Sequence, residues 1–162
     1  MKKTLITITI GLLLPLLLAS TTFAAPAAAE KQWLLKGSLQ AVERYELDFP
    51  TLFVDAIGSG NATHLGRYTV SYQAIVHLFD GTGTASVSAR FVAANGDSLF
   101  AEGSGQATLT ETPNINRIVE MYAITGGTGR FAGASGNFTV ERLVNLATGV
   151  TSGTIDGDIV IP

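Results

Sequence analysis

The residues best suited to do chemistry in this sequence are Glu120, Tyr122 and His64. Glu120 and Tyr122 are two residues apart, so on a strand they share one face with Ile118 and Ile124. A carboxyl group on an apolar face is expected to be paired or functional, because an isolated buried charge is costly. In the functional interpretation, Glu120 is an acid beside a phenol and moves protons for a substrate held in an apolar pocket.

A structural alternative for Glu120 is an ion pair with Arg142. Arg142 alternates with Val140 and Val144 in the same way, so its side chain also falls on an apolar face. If the two strands are neighbours, the pair would satisfy both charges, and we favour this interpretation over a catalytic one. Glu102 is a similar case, because it alternates with Phe100.

His64 lies in the polar run 61–67, which also contains Arg67. One interpretation is a rim site in which His64 is a general base and Arg67 binds an anion. The other is a wide loop in which Thr63 and His64 satisfy backbone groups, as polar loop residues often do. We favour the loop.

No motif points to a metal or another cofactor. His77 is the only other histidine, and the chain has no cysteine. On one strand the two histidines would be roughly 43 Å apart, at about 3.3 Å per residue. The run Gly126-Gly127-Thr128-Gly129 is not followed by the Lys-Ser or Lys-Thr of a phosphate-binding loop. We therefore expect no cofactor and no metal.

The elements that must position these residues are strands, because period-two alternation runs through most of the chain. Between Tyr68 and Leu78, apolar residues alternate with mainly polar ones. Asn95-Gly96 predicts a hairpin with a type I′ turn. The segment from Trp33 to Asp48 supplies one or two strands, broken or bent at Gly37. Further strands are expected at about 84–93, 98–110, 116–125, 136–145 and 150–161.

Seven or eight short strands joined by glycine-rich turns predict an all-β sandwich or barrel. Periodicity alone does not choose between these two architectures. An eight-stranded barrel is just wide enough inside to be filled by side chains or to hold one small ligand.

The first 24 residues have the pattern of a secretory signal peptide. Lys2 and Lys3 precede an apolar run from Leu5 to Leu18, and small residues follow. Cleavage fits after Ala24 or after Ala29. We expect residues 25–31 to be a flexible segment and residues 32–162 to be one domain. The protein is then secreted or periplasmic, and no membrane attachment is expected once the signal is removed.

The charge of the chain excludes nucleic acid as its main partner. The sequence has 13 acidic and 10 basic residues, and loss of Lys2 and Lys3 would leave it more negative still. Phosphate backbones are bound by clustered lysine and arginine, and no such cluster is present.

The segment 124–136, ITGGTGRFAGASG, consists of a strand end, a glycine corner, Phe131, a second glycine corner and the next strand. It resembles the corresponding segment of the allene oxide cyclases and of the dirigent proteins that share their barrel. Phe131 is expected to fold back over the core and cover one of its ends. The resemblance implies a closed, antiparallel eight-stranded barrel with a largely apolar cavity, often assembled as a trimer, so a homotrimer is among the expected assemblies. It also suggests an exported bacterial relative of that barrel.

The resemblance assigns no catalytic residue, so three functions stay open. The favoured one is the binding of a small apolar molecule among Tyr68, Tyr72, Phe91 and Phe131. The second is a cyclase-like or dirigent-like enzyme that guides an isomerisation or coupling, with Glu120, Tyr122 or His64 moving protons. The third is a structural or interaction protein whose barrel is filled.

Overall fold

The computed structural model describes residues 31–79 and 82–162. They form a closed barrel of eight antiparallel strands in sequential order, in which the last strand pairs with the first. This confirms the predicted all-β barrel and sets the strand number at eight. The strands are β1 (Gln32–Asp48), β2 (Thr51–Ala62), β3 (Gly66–Phe79), β4 (Thr82–Ala93), β5 (Ser98–Leu109), β6 (Ile115–Gly127), β7 (Ser135–Asn145) and β8 (Val150–Val160).

Each strand forms because alternate side chains can be buried inside the barrel while the others face water. In β3, Tyr68, Val70 and Tyr72 are buried, and the residues between them are exposed. The described residues contain no helix long and apolar enough to cross a membrane. Residues 1–30 lie outside the described residues, and so does the predicted signal peptide.

The start of the barrel differs from the expectation. Residues 32–48 form one continuous strand, β1. The strand that was not located from the sequence is β2, at residues 51–62. The wide loop predicted for the polar run 61–67 is wrong, because Asn61 already pairs with Arg67 across the β2–β3 ladder and only a tight turn at residues 63–65 remains. The prediction that Thr63 satisfies backbone groups is confirmed. Its hydroxyl accepts a hydrogen bond from the N–H of Lys36 at 2.9 Å and donates one to the carbonyl of Leu34 at 2.7 Å.

The predicted hairpin at Asn95-Gly96 is present, but its turn is not type I′. Gly96 has a φ of 90°, whereas Asn95 is not among the residues with positive φ. The Gly96 N–H donates to the carbonyl of Ala93, and the Ala93 N–H donates to that of Asp97. The loop therefore has three residues, with glycine in the left-handed position that a side chain would disfavour.

Hairpin connections send successive turns to opposite ends of the barrel. The β1–β2, β5–β6 and β7–β8 turns surround one end, where β3 ends and β4 begins. We call it the open end. The β2–β3, β4–β5 and β6–β7 connections lie at the other end, called the closed end, together with the start of β1 and the end of β8.

Side chains fill the closed end. Phe131, in a short 3-10 turn between β6 and β7, is fully buried, as are Leu35, Leu99 and Ile159. The prediction that Phe131 folds over the core is thus confirmed at this end. Next to it, four aromatic rings form a continuous chain in the order Tyr68, Phe91, Phe138 and Tyr122, with centroid separations of 5.4, 5.8 and 4.9 Å. Such contacts add to the stability gained from burial.

Candidate functional site

Glu43, Glu120 and Arg142 form a buried group in the barrel, which we call the charged cluster. Arg142 on β7 binds both oxygens of Glu120 on β6, with Nε to Oε2 at 3.1 Å and Nη2 to Oε1 at 3.0 Å. Its Nη1 also donates to Glu43 on β1. The predicted ion pair between Glu120 and Arg142 is confirmed, and Glu43 is a third member that was not predicted.

Neutral hydroxyl groups complete the cluster. Glu43 accepts hydrogen bonds from the phenols of Tyr45 at 2.7 Å and Tyr72 at 2.6 Å. Thr151 accepts one from Arg142 at 3.1 Å and donates to the carbonyl of Leu143. Every buried side-chain nitrogen and oxygen atom among the described residues has a partner. Each buried nitrogen and oxygen atom of the group therefore has at least one hydrogen-bond partner, as buried polar groups generally do.

Small residues on neighbouring strands make room for the cluster. Ala56 of β2 pairs with both Glu43 and Tyr72, so the Tyr72 phenol can reach across this small side chain. Gly105 pairs with Glu120, and a Cβ atom at that position would meet the Glu120 side chain. Gly153 has the same relation to Arg142.

The environment keeps Arg142 charged and the tyrosines neutral. Burial by itself would lower the pKa of Arg142, but the hydrogen bonds and charge of Glu120, with further charge from Glu43, raise it overall. Burial raises the pKa of Tyr72 far above the usual value near 10, and the charge of Glu43 adds to this effect while Arg142 opposes it. Burial and the Glu43 hydrogen bond act on Tyr45 in the same way. Both phenols are thus hydrogen-bond donors across the ordinary pH range.

Above the cluster, toward the open end, lies a cavity of about 340 Å³. Its volume falls within the range of small-molecule sites, about 300–1,000 Å³. The three members of the charged cluster form part of its lining, and within the described part of the chain they are its only charged residues. The rest of the lining is mostly apolar: Tyr45, Phe49, Leu52, Val54, Ala74, Val76, Leu78, Gly83, Ala107, Leu109, Asn116, Ile118, Val144 and Leu146.

Of the three predicted catalytic residues, only Glu120 lines this cavity. Tyr122 is buried on the closed-end side of Glu120, where its ring stacks on Phe138. His64 lies in the β2–β3 turn at the closed end with a φ of 65°, and its ring centroid is 5.2 Å from that of Trp33. The structure therefore does not bring the three residues together.

The predicted ligand-binding residues are all buried, and none of them lines the cavity. Tyr68, Phe91 and Phe131 belong to the filled closed end, and the Tyr68 phenol donates to the carbonyl of Ser38 at 2.7 Å. Tyr72 holds Glu43 in place. Glu102 is exposed on the outer surface, so the apolar face inferred for it is wrong. Among residues 31–79 and 82–162, no three His, Asp or Glu side chains are grouped to hold a metal ion.

Glu43 and Tyr45 are the residues that the sequence interpretation missed. Both lie on the inward face of β1 with Leu39 and Ala41. The signal was the same one that identified Glu120, a carboxyl group alternating with apolar residues. The sequence does not show clearly where the strands within residues 32–62 begin and end, so this alternation is not evident from it.

Comparison with known proteins identifies similar folds. No protein-family model and no curated protein matches the sequence significantly. Among solved structures, the barrel is similar to the pterocarpan synthase dirigent protein GePTS1, with a TM-score of 0.55 and 16% identity over 87% of this chain and 99% of that one. It is also similar to the pterocarpan synthase dirigent protein PsPTS1, with a TM-score of 0.56 and 15% identity over 82% of this chain and 96% of that one. The fold is therefore a dirigent-like barrel.

The tyrosines, three of them buried and Tyr45 half-buried, predict a distinct alkaline titration. The pKa of each is raised, with burial as the largest cause. Unfolded phenols lose their protons near pH 10, whereas the folded protein keeps them. The unfolded state then binds fewer protons, so the free energy of unfolding is unaffected below about pH 10 and falls as the pH rises above it. Phenolate absorbance should appear only together with loss of the circular-dichroism signal.

The control for this titration is the same protein in concentrated guanidinium chloride, where the phenols should titrate near pH 10. A tyrosine that ionises reversibly near pH 10 while the barrel stays folded would contradict the assigned environment.

Proposed function

We propose that this protein binds a small, largely apolar molecule in the open half of its barrel. The observation that carries the proposal is the apolar cavity that ends on a buried, charged cluster. Pockets of this kind, with a few convergent polar groups on an apolar wall, are the usual form of a small-molecule site. The wall would bury the hydrocarbon part of the ligand, and the cluster would orient its polar end.

The uneven filling of the barrel supports binding over a purely structural role. Large aromatic and aliphatic side chains pack the closed end, whereas inward positions near the open end carry small residues such as Ala74, Gly83 and Ala107. A barrel kept only for its shape gains stability from filling this space, because empty apolar volume costs free energy. The small residues therefore favour a binding function.

Filling the cavity should weaken binding. Ala107 lines the cavity, so Ala107→Phe places a ring where the ligand would lie. We expect affinity for the uncharged fluorescent probe N-phenyl-1-naphthylamine to fall at least tenfold, about 1.4 kcal/mol. The matched control is Ala123→Phe, which adds the same ring on the outer surface and should bind the probe as the wild type does.

Circular dichroism should show that both variants are folded, and Ala74→Phe provides a second filling variant at another point on the wall. Equal probe affinity in the wild type and the folded cavity variants would mean that the probe binds elsewhere, and the proposal would fail.

A second candidate function is a dirigent-like or cyclase-like enzyme that guides an isomerisation or coupling. The observation favouring it is that carboxylates and phenols meet at the floor of a cavity with apolar walls. Catalysis there would come from holding a reactive substrate in one conformation while Glu120 or Glu43 accepts a proton.

The enzyme hypothesis predicts that Glu120→Gln stops turnover while His64→Ala, at the closed end, leaves it intact. A small-molecule extract of the host culture can be incubated with each variant and analysed by chromatography and mass spectrometry. Isomerisation changes the retention of a compound and leaves its mass unchanged. Glu102→Gln, on the outer surface, is the control. Conversion at the wild-type rate by a folded Glu120→Gln protein would remove this assignment.

We also propose that the protein is exported through its N-terminal leader, that it is a bacterial relative of the allene oxide cyclase barrel, and that it assembles as a homotrimer. The charge and hydropathy pattern of residues 1–24 supports export. Exposed apolar residues on the outer face of the barrel, among them Val42, Ile57 and Ile75, fit contacts between copies, since such patches often mark interfaces.

Native mass spectrometry of protein purified from the exported fraction of its host tests export, assembly and cargo together. We expect a chain that starts at residue 25 or 30, three copies in each particle, and an added mass that disappears on denaturation. A full-length chain confined to the cytoplasm would contradict export, and a monomer at high concentration would contradict the trimer.

A further inference from the structure

The charged cluster carries an excess of negative charge. It contains two carboxylates and one guanidinium, and the side chains of all three are only 3–4% exposed. Among the residues that the structure describes, no other charged side chain lines the cavity. With Arg142 held in its charged form, the formal charge at the floor of the cavity is negative by one unit.

The hydrogen bonds show the same excess of acceptors. An ionised carboxylate offers about four acceptor sites. Glu43 receives three donors, from Arg142, Tyr45 and Tyr72. Glu120 receives two donors, both from Arg142. Each carboxylate therefore keeps acceptor capacity, while the phenols and the guanidinium directed at them are already engaged.

The surface around the mouth of the cavity has the same sign of charge. Glu46 and Asp48 lie near the end of β1, and Glu111 lies in the β5–β6 turn, all of them exposed at the open end. Two outward-facing arginines in this half of the barrel are neutralised or opposed, because Arg117 is bound to Glu141 and Arg44 pairs across the ladder with Asp55. An acidic mouth attracts cations and repels anions.

We propose that the ligand is an amine bound as its ammonium ion, with an alkyl or aryl body in the apolar part of the cavity. Its N–H groups donate to the free acceptor sites of Glu43 and Glu120, and its charge neutralises the cluster. A carboxylate of the same size would place a second uncompensated negative charge in the cavity. This inference rests on the proposed binding function and narrows its ligand class.

The test compares three probes that share one hydrocarbon chain: octylamine, octanol and octanoate. Their affinities are measured by displacement of N-phenyl-1-naphthylamine from the wild-type protein at neutral pH. We expect octylamine to bind at least tenfold more tightly than octanol, and octanoate at least tenfold more weakly than octanol. The preference should persist at high salt, because a buried charge is screened far less than a surface charge.

The variant Glu120→Gln removes the excess charge and should bring octylamine and octanol within about threefold of each other. Glu102→Gln, on the outer surface, should keep the wild-type preference. If Glu120→Gln fails to fold, the wild-type series decides the matter alone.

The outcomes separate the two proposals. If octanol and the uncharged probe bind in the cavity but octylamine binds no more tightly than octanol, the amine inference is overturned and the binding function stands. If octanoate binds most tightly, the inferred charge selection is wrong. If none of the probes binds, both proposals fail.

Discussion

A guanidinium group inside an eight-stranded barrel is the constraint on which the rest of this interior depends. An unpaired buried charge costs several kcal/mol, and removing one partner of a buried pair typically costs about 3–5 kcal/mol. Arg142 therefore needs the carboxylates of Glu43 and Glu120 at its own height in the barrel, and Glu43 in turn engages the phenols of Tyr45 and Tyr72. This polar layer divides the interior into a tightly packed half and a hollow half.

Much of the fold could be predicted from the sequence because one face of each strand is exposed to solvent and the other is buried in the barrel. The alternation in β3 located that strand within two residues at its ends, and the inward set from Tyr68 to Leu78 follows the predicted face. The alternation of apolar and polar residues is weaker in β2, because Gly58 and Gly60 take inward positions and have no apolar side chains. The sequence of β2 therefore shows no clear strand pattern. The Asn95-Gly96 pair marked a hairpin correctly, yet the turn type depends on the register of β4 and β5, which the dipeptide does not specify.

The site was only partly predictable, because alternation distinguishes inside from outside but carries no information on depth. Tyr68 and Tyr72 share a face four residues apart, yet one packs in the closed end and the other binds the charged cluster. The pairing of Glu120 with Arg142 could be inferred because their strands are consecutive. Glu43 is far away in the sequence and meets Arg142 only because β8 and β1 close the barrel.

The arrangement of the turns has a practical consequence for handling the molecule. The first strand begins and the last strand finishes at the closed end, beside Phe131 and away from the cavity. A tether joined to the start of β1 or to the end of β8 would hold the molecule by its closed end. Protein immobilised in this way on a sensor surface would present the mouth of its barrel to the solution, with the same orientation in every copy.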